Sequence, residues 1–133
     1  MPCPCPLAGK CLVKNVIYQA TVKTSEGEKE YIGSTGCTFK QRYGGHKYSF
    51  AHREQHLSTE LSKFVWRAKD RGEDPHFTWK VLHQVRTPPN KPQTICLLCN
   101  LERMEIAEAK LERTLNKRTE LTVACVQFIN KHF

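Results

Sequence analysis

Four side chains between residues 18 and 46 have the chemistry needed to act on a phosphate ester. Tyr18 and Tyr31 are phenols, and Arg42 and His46 stand four residues apart. A guanidinium matches two phosphate oxygens and keeps its proton, so Arg42 could stabilise charge on phosphorus. A histidine, with a pKa of about 6.5, could accept a proton. A phenol of pKa about 10 is almost wholly neutral at pH 7, so a tyrosine base needs surroundings that lower that pKa.

The residues around the two tyrosines predict a β-hairpin. Residues 16–22 alternate in polarity, and a second β-rich run begins at Tyr31. Residues 25–29 between them include a glycine and no apolar side chain, which is typical of a hairpin loop. The alternation groups Tyr18 with the apolar side of its strand. Its alternative role is therefore that of a core tyrosine whose hydroxyl reaches a polar rim.

Residues 38–50 predict a helix that places Arg42 and His46 on one face, with Thr38 as the N-cap. Gly44 and Gly45 oppose this helix, because each costs about 1 kcal/mol relative to alanine in a helix interior. The two glycines favour a break here. A break would turn His46 away from the face of Arg42.

The rest of the chain predicts one more strand and two more helices. Apolar residues at helical spacing indicate a helix from a Ser58 or Thr59 cap to about Gly72. Residues 77–82 alternate and predict a third strand, and Leu97–Leu115 predicts a long helix. The expected fold is α/β of the α+β kind, a small three-stranded antiparallel sheet flanked by helices.

Length and charge favour a single domain with a polyanionic partner. The chain has 133 residues, with 21 Lys and Arg against 13 Asp and Glu, a net charge of +8 and a pI of about 9.2. No apolar run approaches the roughly 18 residues of a membrane span, and the N-terminus lacks the order of a signal peptide. We therefore expect an intracellular, reducing location and no membrane partner.

Residues 1–14 form a cysteine- and proline-rich arm, which we predict to be distinct from the domain at residues 15–133. Seven cysteines, an odd number, leave metal ligation open. Three pairs of residues have spacings suited to half of a structural zinc site: Cys96 with Cys99, Cys5 or Cys3 with Cys11, and His52 with His56. A zinc ion would pin the arm to the domain. The alternative is that these cysteines are buried thiols without a metal.

On these residues the chain resembles the GIY-YIG nuclease family. Val16-Ile17-Tyr18 stands where the family has its first tripeptide, and Tyr31-Ile32-Gly33 matches the second. Arg42 and His46 fit its Arg-x-x-x-His helix. The chain departs from the family at Val16, which replaces a glycine and cannot share the positive φ that glycine adopts.

The resemblance is closest to the endonuclease domain of Penelope-like retroelements and covers nearly the whole chain. It rests on four further stretches: residues 5–11, residues 59–66, Cys96-Leu-Leu-Cys99 followed by Glu102, and residues 115–121. It implies a DNA endonuclease that uses magnesium or manganese. Such an enzyme would act in the nucleus, nicking one strand to leave a 3′ hydroxyl for a linked reverse transcriptase.

The resemblance also implies roles for individual residues. Glu102 would be the metal-binding carboxylate, with Glu105 and then Glu112 as alternatives. Tyr18 would be the base and Tyr31 would orient the water, although the two could be exchanged. The family's late asparagine matches Asn116, which would organise the site or bind the phosphate backbone. The alternative for Asn116 is a helix C-cap.

Basic residues suited to DNA phosphates recur along the chain. They are Lys40, Arg42, Lys47, Lys63, Lys117 and Arg118, together with Arg53, Arg67, Lys69 and Arg71. Two hypotheses compete with the nuclease. One is a non-catalytic, zinc-containing module that binds nucleic acid with a nuclease-like fold, and the other is a protein-interaction domain with an incidental basic surface.

Overall fold

The computed structural model describes residues 6–7, 9–85, 92–109 and 113–116, with the backbone alone for 92–96. Its elements are β1 (Lys14–Thr24), β2 (Gly27–Thr38), α1 (Phe39–Ala51), a 3-10 turn (Arg53–Gln55), α2 (Glu60–Asp70), β3 (His76–Gln84) and α3 (Pro92–Glu108). Within these ranges, the predicted α+β fold with a three-stranded antiparallel sheet and three helices is confirmed. No helix in these ranges is long and apolar enough to cross a membrane.

The sheet has the order β2-β1-β3, with β1 in the centre. Tyr18, Ala20 and Val22 of β1 are buried on the face toward α1 and α2, and Ile17 is buried on the face toward α3. The hairpin between β1 and β2 is tighter than predicted, since Thr24 already pairs with Gly27. Gly27 has a φ of 105°, a backbone conformation open mainly to glycine. This close turn sets the register that later places Tyr18 opposite Gly33.

Each face of the sheet carries its own apolar cluster. The first cluster joins the sheet to α1 and α2, and its buried residues are Tyr18, Ala20, Val22, Tyr31, Phe39, Phe50, Leu61, Phe64, Val65 and Trp79. The second cluster joins the sheet to α3, and its buried residues are Ile17, Ile32, Leu98, Cys99 and Ile106. Tyr18 thus lies on the apolar side of β1, as the alternation predicted.

Helix α1 runs without a break through both glycines, so the predicted break is wrong. The Thr38 side chain accepts a hydrogen bond from the Gln41 N–H, and the two residues form a capping box. Phe39 and Phe50 near the two ends are buried in the first cluster. Burial of this face outweighs the low helix propensity of the glycines. Arg42 and His46 therefore keep the spacing that puts them on one side of the helix.

Helix α2 and the strand after it follow the predictions closely. The Thr59 side chain caps α2 by accepting a hydrogen bond from the Ser62 N–H, and the chain leaves the helix at Gly72, whose φ is 79°. The helix packs its apolar face against the first cluster through Leu61 and Phe64. Strand β3 then adds the second edge of the sheet.

Helix α3 ends at Glu108, so the predicted helix to Leu115 is wrong. After the helix, the chain returns along the outer edge of β2. The Glu30 N–H donates to the Arg113 carbonyl at 2.7 Å, and the Leu115 N–H donates to the Glu30 carbonyl at 2.7 Å. Leu115 packs against the first cluster, whereas α3 packs against the second. The helical spacing of apolar residues extends past the end of α3 because Leu115 is apolar for another reason, namely its packing against the first cluster.

Asn116 is the last described residue of this stretch, and it is neither a helix C-cap nor on α3. Its Oδ1 accepts a hydrogen bond from the Ile32 N–H at 2.8 Å, and its Nδ2 donates to the Ile32 carbonyl at 2.9 Å. The side-chain amide thus pairs with edge strand β2 as a neighbouring peptide group would. Asn116 is buried, so water does not readily replace it. It holds β2 one residue before Gly33.

Replacing Asn116 should weaken the fold at this point. In Asn116→Ala the N–H and the carbonyl of Ile32 lose these partners, and we expect a loss of about 1–3 kcal/mol in the free energy of unfolding. Asn116→Asp keeps the shape but sets a carboxylate oxygen against the Ile32 carbonyl, so it should destabilise at least as much. Urea denaturation measures both, with the exposed Asn100→Ala as control. An Asn116→Ala variant within about 0.5 kcal/mol of wild type would contradict this role.

Candidate active site

The candidate site is built around the phenol of Tyr18, which lies against the backbone of Gly33. The two residues are paired across β1 and β2. A Cβ placed on Gly33 would lie 2.4 Å from the Tyr18 hydroxyl oxygen and 2.5 Å from Cζ. Only glycine leaves room for this phenol. Gly33 thus allows the close approach of the strand backbone to the Tyr18 ring.

Helix α1 supplies two partners to the same hydroxyl. His46 Nε2 lies 2.7 Å from the Tyr18 hydroxyl oxygen, and Arg42 donates from Nε to that oxygen at 3.1 Å. A guanidinium can only donate, so the phenol oxygen is the acceptor toward Arg42. Its own proton can then be donated to Nε2 of His46. The unbroken helix thus brings together three of the residues that the sequence singled out.

Tyr31 completes the aromatic side of the site. It belongs to the first cluster, and its ring meets the His46 ring edge to face with centroids 5.9 Å apart. Its charge interaction with Arg42 places the phenol within electrostatic reach of the guanidinium. Tyr31 is 7% exposed, whereas Tyr18 is 0% exposed. Of the two phenols, Tyr31 is the one with some access to solvent.

Burial controls the acidity of Tyr18. It raises the pKa of the phenol above its ordinary value, and the Glu102 charge raises it further. Arg42 acts in the opposite direction through its charge and its hydrogen bond, but burial has the larger effect. The pKa of Arg42 is itself raised, first by Tyr18 and also by Tyr31 and Glu102, against an opposing effect of burial. Arg42 therefore stays charged, and Tyr18 stays neutral at ordinary pH.

Glu102 reaches the site from the other face of the sheet. It lies on α3, and the Ser34 hydroxyl donates to its Oε1 at 3.1 Å. Ser34 is buried and directly follows Gly33 in β2, which is an edge strand. The Glu102 carboxylate consequently interacts with both Tyr18 and Arg42. Residues from the two faces meet at residues 33 and 34 of this edge.

Ser34 is the residue of this arrangement that sequence reasoning missed. Its position directly after Tyr31-Ile32-Gly33 was the available signal, because a residue beside Gly33 on an edge strand adjoins whatever lies against that glycine. A serine in a strand is usually uninformative. The hydrogen bond to Glu102 is what gives Ser34 a place in the site.

The alternative carboxylates are arranged differently. Glu105, one turn after Glu102 on α3, lies with Oε1 2.6 Å from Nε2 of His83 on β3. Glu105 thus pairs with β3, the edge strand on the opposite side of the sheet from β2. Glu112 lies outside the described residues. Of the two that are described, Glu102 is the carboxylate that interacts with Tyr18 and Arg42.

The oxygen donors at this edge suit a hard divalent cation. The Glu102 carboxylate is a ligand type that magnesium and manganese prefer, and the Ser34 hydroxyl donates a hydrogen bond to it. Within the described part of the chain, no group of three His, Cys, Asp or Glu residues could hold a metal. A cation here would therefore draw most of its ligands from water and substrate phosphate, as protein-bound magnesium commonly does. The residues fit such an open site.

The cysteines predicted for zinc have mixed surroundings. Cys99 is a buried free thiol of the second cluster, in contact with apolar residues. Cys11 is disulfide-bonded, and a disulfide sulfur does not bind zinc as a thiolate does. Cys5 and the side chain of Cys96 lie outside the described residues. The four-cysteine site stays a prediction, and Cys11 could join it only after reduction.

The histidine pair offered as a competing zinc half-site contacts the backbone. His52 Nδ1 lies 2.9 Å from the Tyr48 carbonyl oxygen, and His56 Nδ1 lies 2.8 Å from the Arg53 carbonyl oxygen. The two histidines do not share a helix, because His52 ends α1 and His56 follows the 3-10 turn. The i, i+4 spacing therefore does not place them as it would on a continuous helix.

The basic residues predicted to bind DNA differ in their surroundings. Lys40 and Lys47 are exposed on α1, and Lys47 Nζ lies 5.4 Å from the centroid of the Tyr43 ring. Others form ion pairs with acidic side chains: Lys63 with Glu60, Arg53 with Asp70, and Arg67 and Arg71 with Glu26. Lys69 donates to the Phe50 carbonyl. Lys117 and Arg118 lie outside the described residues.

Comparison with known proteins adds no relative to this description. The chain matches no family model, no curated protein and no solved structure.

The buried phenol makes a prediction about pH. The pKa of Tyr18 is raised in the folded protein, so neutral Tyr18 contributes stability below pH about 10 that is lost as the pH rises through the folded pKa. The tyrosinate absorbance of wild type minus Tyr18→Phe should titrate with a midpoint above 10. The exposed Tyr48, replaced in Tyr48→Phe, is the matched control. A midpoint below 10 for Tyr18 would show that Arg42 outweighs burial.

Proposed function

We propose that this protein is a metal-dependent DNA endonuclease of the GIY-YIG type, which hydrolyses phosphodiester bonds with magnesium or manganese. One observation carries the proposal. The Tyr18 hydroxyl binds both Arg42 and His46, and the Glu102 charge acts on the same phenol and guanidinium. These residues come from β1, α1 and α3, and a purely structural core would not require this combination of charges.

Arg42 would bind the phosphate. Its Nε donates to Tyr18, so a bidentate contact with phosphate oxygens would use its terminal nitrogens. The phenol thereby orients the guanidinium and fixes the direction in which it presents those nitrogens. Its raised pKa keeps the positive charge available throughout the working pH range. Such a preoriented charge stabilises a phosphorane-like transition state more than the ground state.

We assign the two tyrosines the exchanged roles, with Tyr31 rather than Tyr18 next to the attacking water. Tyr18 is fully buried and its pKa is raised, so it is a poor direct base for an attacking water. It is instead suited to hold Arg42 and to donate a hydrogen bond to Nε2 of His46 at 2.7 Å. Tyr31 retains some exposure, and we place it beside the attacking water.

Glu102 would hold the divalent cation, with the Ser34 hydroxyl fixing the direction of the carboxylate. When bound, such a cation neutralises charge on the phosphate and assists the leaving oxygen. Asn116 would act at one remove, because it holds Ile32 and thus the strand that carries Gly33 and Ser34. The resemblance further supports nicking in the nucleus to leave a 3′ hydroxyl for a linked reverse transcriptase.

One observation favours a second candidate, a non-catalytic nucleic-acid-binding module with a nuclease-like fold that contains zinc. Tyr18 has no exposed surface, so its hydroxyl lies out of reach of solvent in this structure. Val16 also remains in place of the family glycine. The helix break that would have supported the same candidate is absent from α1.

A plasmid-nicking assay separates these functions. With magnesium present, Glu102→Gln and Arg42→Ala should each lower the nicking rate by about a hundredfold or more, because each removes charge stabilisation of the transition state. Glu105→Gln makes the same change one turn along α3 and should nick like wild type, since Glu105 pairs with His83.

Equal nicking by wild type, Glu102→Gln and Arg42→Ala would contradict the proposed site. A Glu105→Gln variant as inactive as Glu102→Gln would move the metal site toward β3. DNA binding that survives chelation, without scission under magnesium or manganese, would instead support the non-catalytic module.

A further inference from the structure

The outward side of α1 is a basic surface beside the candidate site. We call it the α1 face, and its residues, all exposed, are Lys40, Gln41, Gly44, Gly45 and Lys47. The stretch of sequence at 31–53, which contains α1, has no Asp or Glu but has two lysines and two arginines. Its Arg42 points into the site. A surface of this charge attracts a polyanion and repels other cations.

The two glycines of this face are not explained by the fold. Neither has a positive φ, and a Cβ built on either would meet nothing within 4 Å. Neither backbone conformation nor packing therefore requires glycine, and alanine would make α1 a better helix. Their absent side chains leave the helix backbone open to close approach from outside. This is useful only to something that lies directly on the helix.

The position of Gly45 ties this opening to Arg42. A helical side chain covers the surface over the turn before its own Cα, so a side chain at 45 would cover the helix near Arg42. A side chain at 44 would likewise cover the helix near Lys40. The glycines thus keep a path open from the exposed lysines to the arginine that binds Tyr18.

We propose that the sugar-phosphate backbone of DNA lies on the α1 face, crosses the helix at Gly44 and Gly45, and so brings the phosphate to be cut to Arg42. The proposal rests on the proposed function and names the surface through which that site receives its substrate. Lys40 and Lys47 flank the crossing and bind adjacent phosphates. Such contacts hold DNA in place without selecting its sequence.

The proposal makes stability and binding change in opposite directions. Gly44→Ala and Gly45→Ala should each raise Tm, by about 4 °C, because the better helix former has open space. The same variants should bind DNA more weakly, and Gly45→Gln should lose about tenfold or more in affinity while remaining folded. Fluorescence anisotropy with a short labelled duplex in EDTA measures binding without cutting. Thermal denaturation of the same samples measures Tm.

The lysines provide an independent measurement. Lys40→Ala and Lys47→Ala should each reduce the slope of log Kd against log salt by about 1, as expected for the loss of one phosphate contact. Lys80→Ala removes an exposed lysine from β3 and should leave that slope unchanged. If Lys80→Ala reduced it equally, the salt dependence would reflect net charge and the α1 face would lose its role.

The results for Gly45→Gln and for wild type together distinguish the two proposals. Unchanged binding and nicking would overturn the α1 face while leaving the nuclease intact. If Gly45→Gln binds DNA more weakly than wild type but wild type never nicks, the α1 face is supported and the nuclease is overturned. A wild type that does not bind the duplex would overturn both. Polyglutamate binding as tight as DNA, and as sensitive to Gly45→Gln, would overturn DNA as the occupant.

Discussion

The contact between the Tyr18 phenol and the backbone of Gly33 is the constraint on which the site depends. A phenol can lie there only because residue 33 lacks a Cβ, and the pairing of β1 with β2 places the two residues opposite each other. Once the hydroxyl is in this position, Arg42 and His46 can both reach it from one side of α1. The register of β1 and β2, the glycine at position 33 and the face of α1 that carries Arg42 and His46 therefore together fix the position of the Tyr18 hydroxyl.

A second constraint follows from the edge position of β2. An edge strand has unpaired backbone groups, and here the returning chain pairs with Glu30 while the Asn116 amide pairs with Ile32. The strand is thus held up to the residue before Gly33. Beyond that point, Ser34 turns its hydroxyl to Glu102 on the second face. This edge is the place where groups from the two faces of the sheet come close together.

Local patterns predicted the fold well, because strands β1 and β3, the Thr38 and Thr59 caps and helix α2 are encoded by neighbouring residues. Two failures came from long-range packing. The glycines in α1 could not reveal that burial of Phe39 and Phe50 keeps the helix whole. The leucine spacing near the end could not show that Leu115 belongs to the other face of the sheet. Ser34 was missed because its partner, Glu102, is distant in sequence.

The burial of Tyr18 has a cost and a consequence. A phenol in an apolar cluster resists ionisation, so burial works against a role as a simple base. The same burial strengthens its hydrogen bonds to Arg42 and His46, because a low local dielectric favours them. In the proposed nuclease, a rigidly held guanidinium would need less reorganisation as charge develops on phosphorus. Tyr18 is therefore better suited to act as a fixed donor and acceptor than as a free phenolate, and in the proposed nuclease the groups beside the substrate and water would be Tyr31 and Arg42.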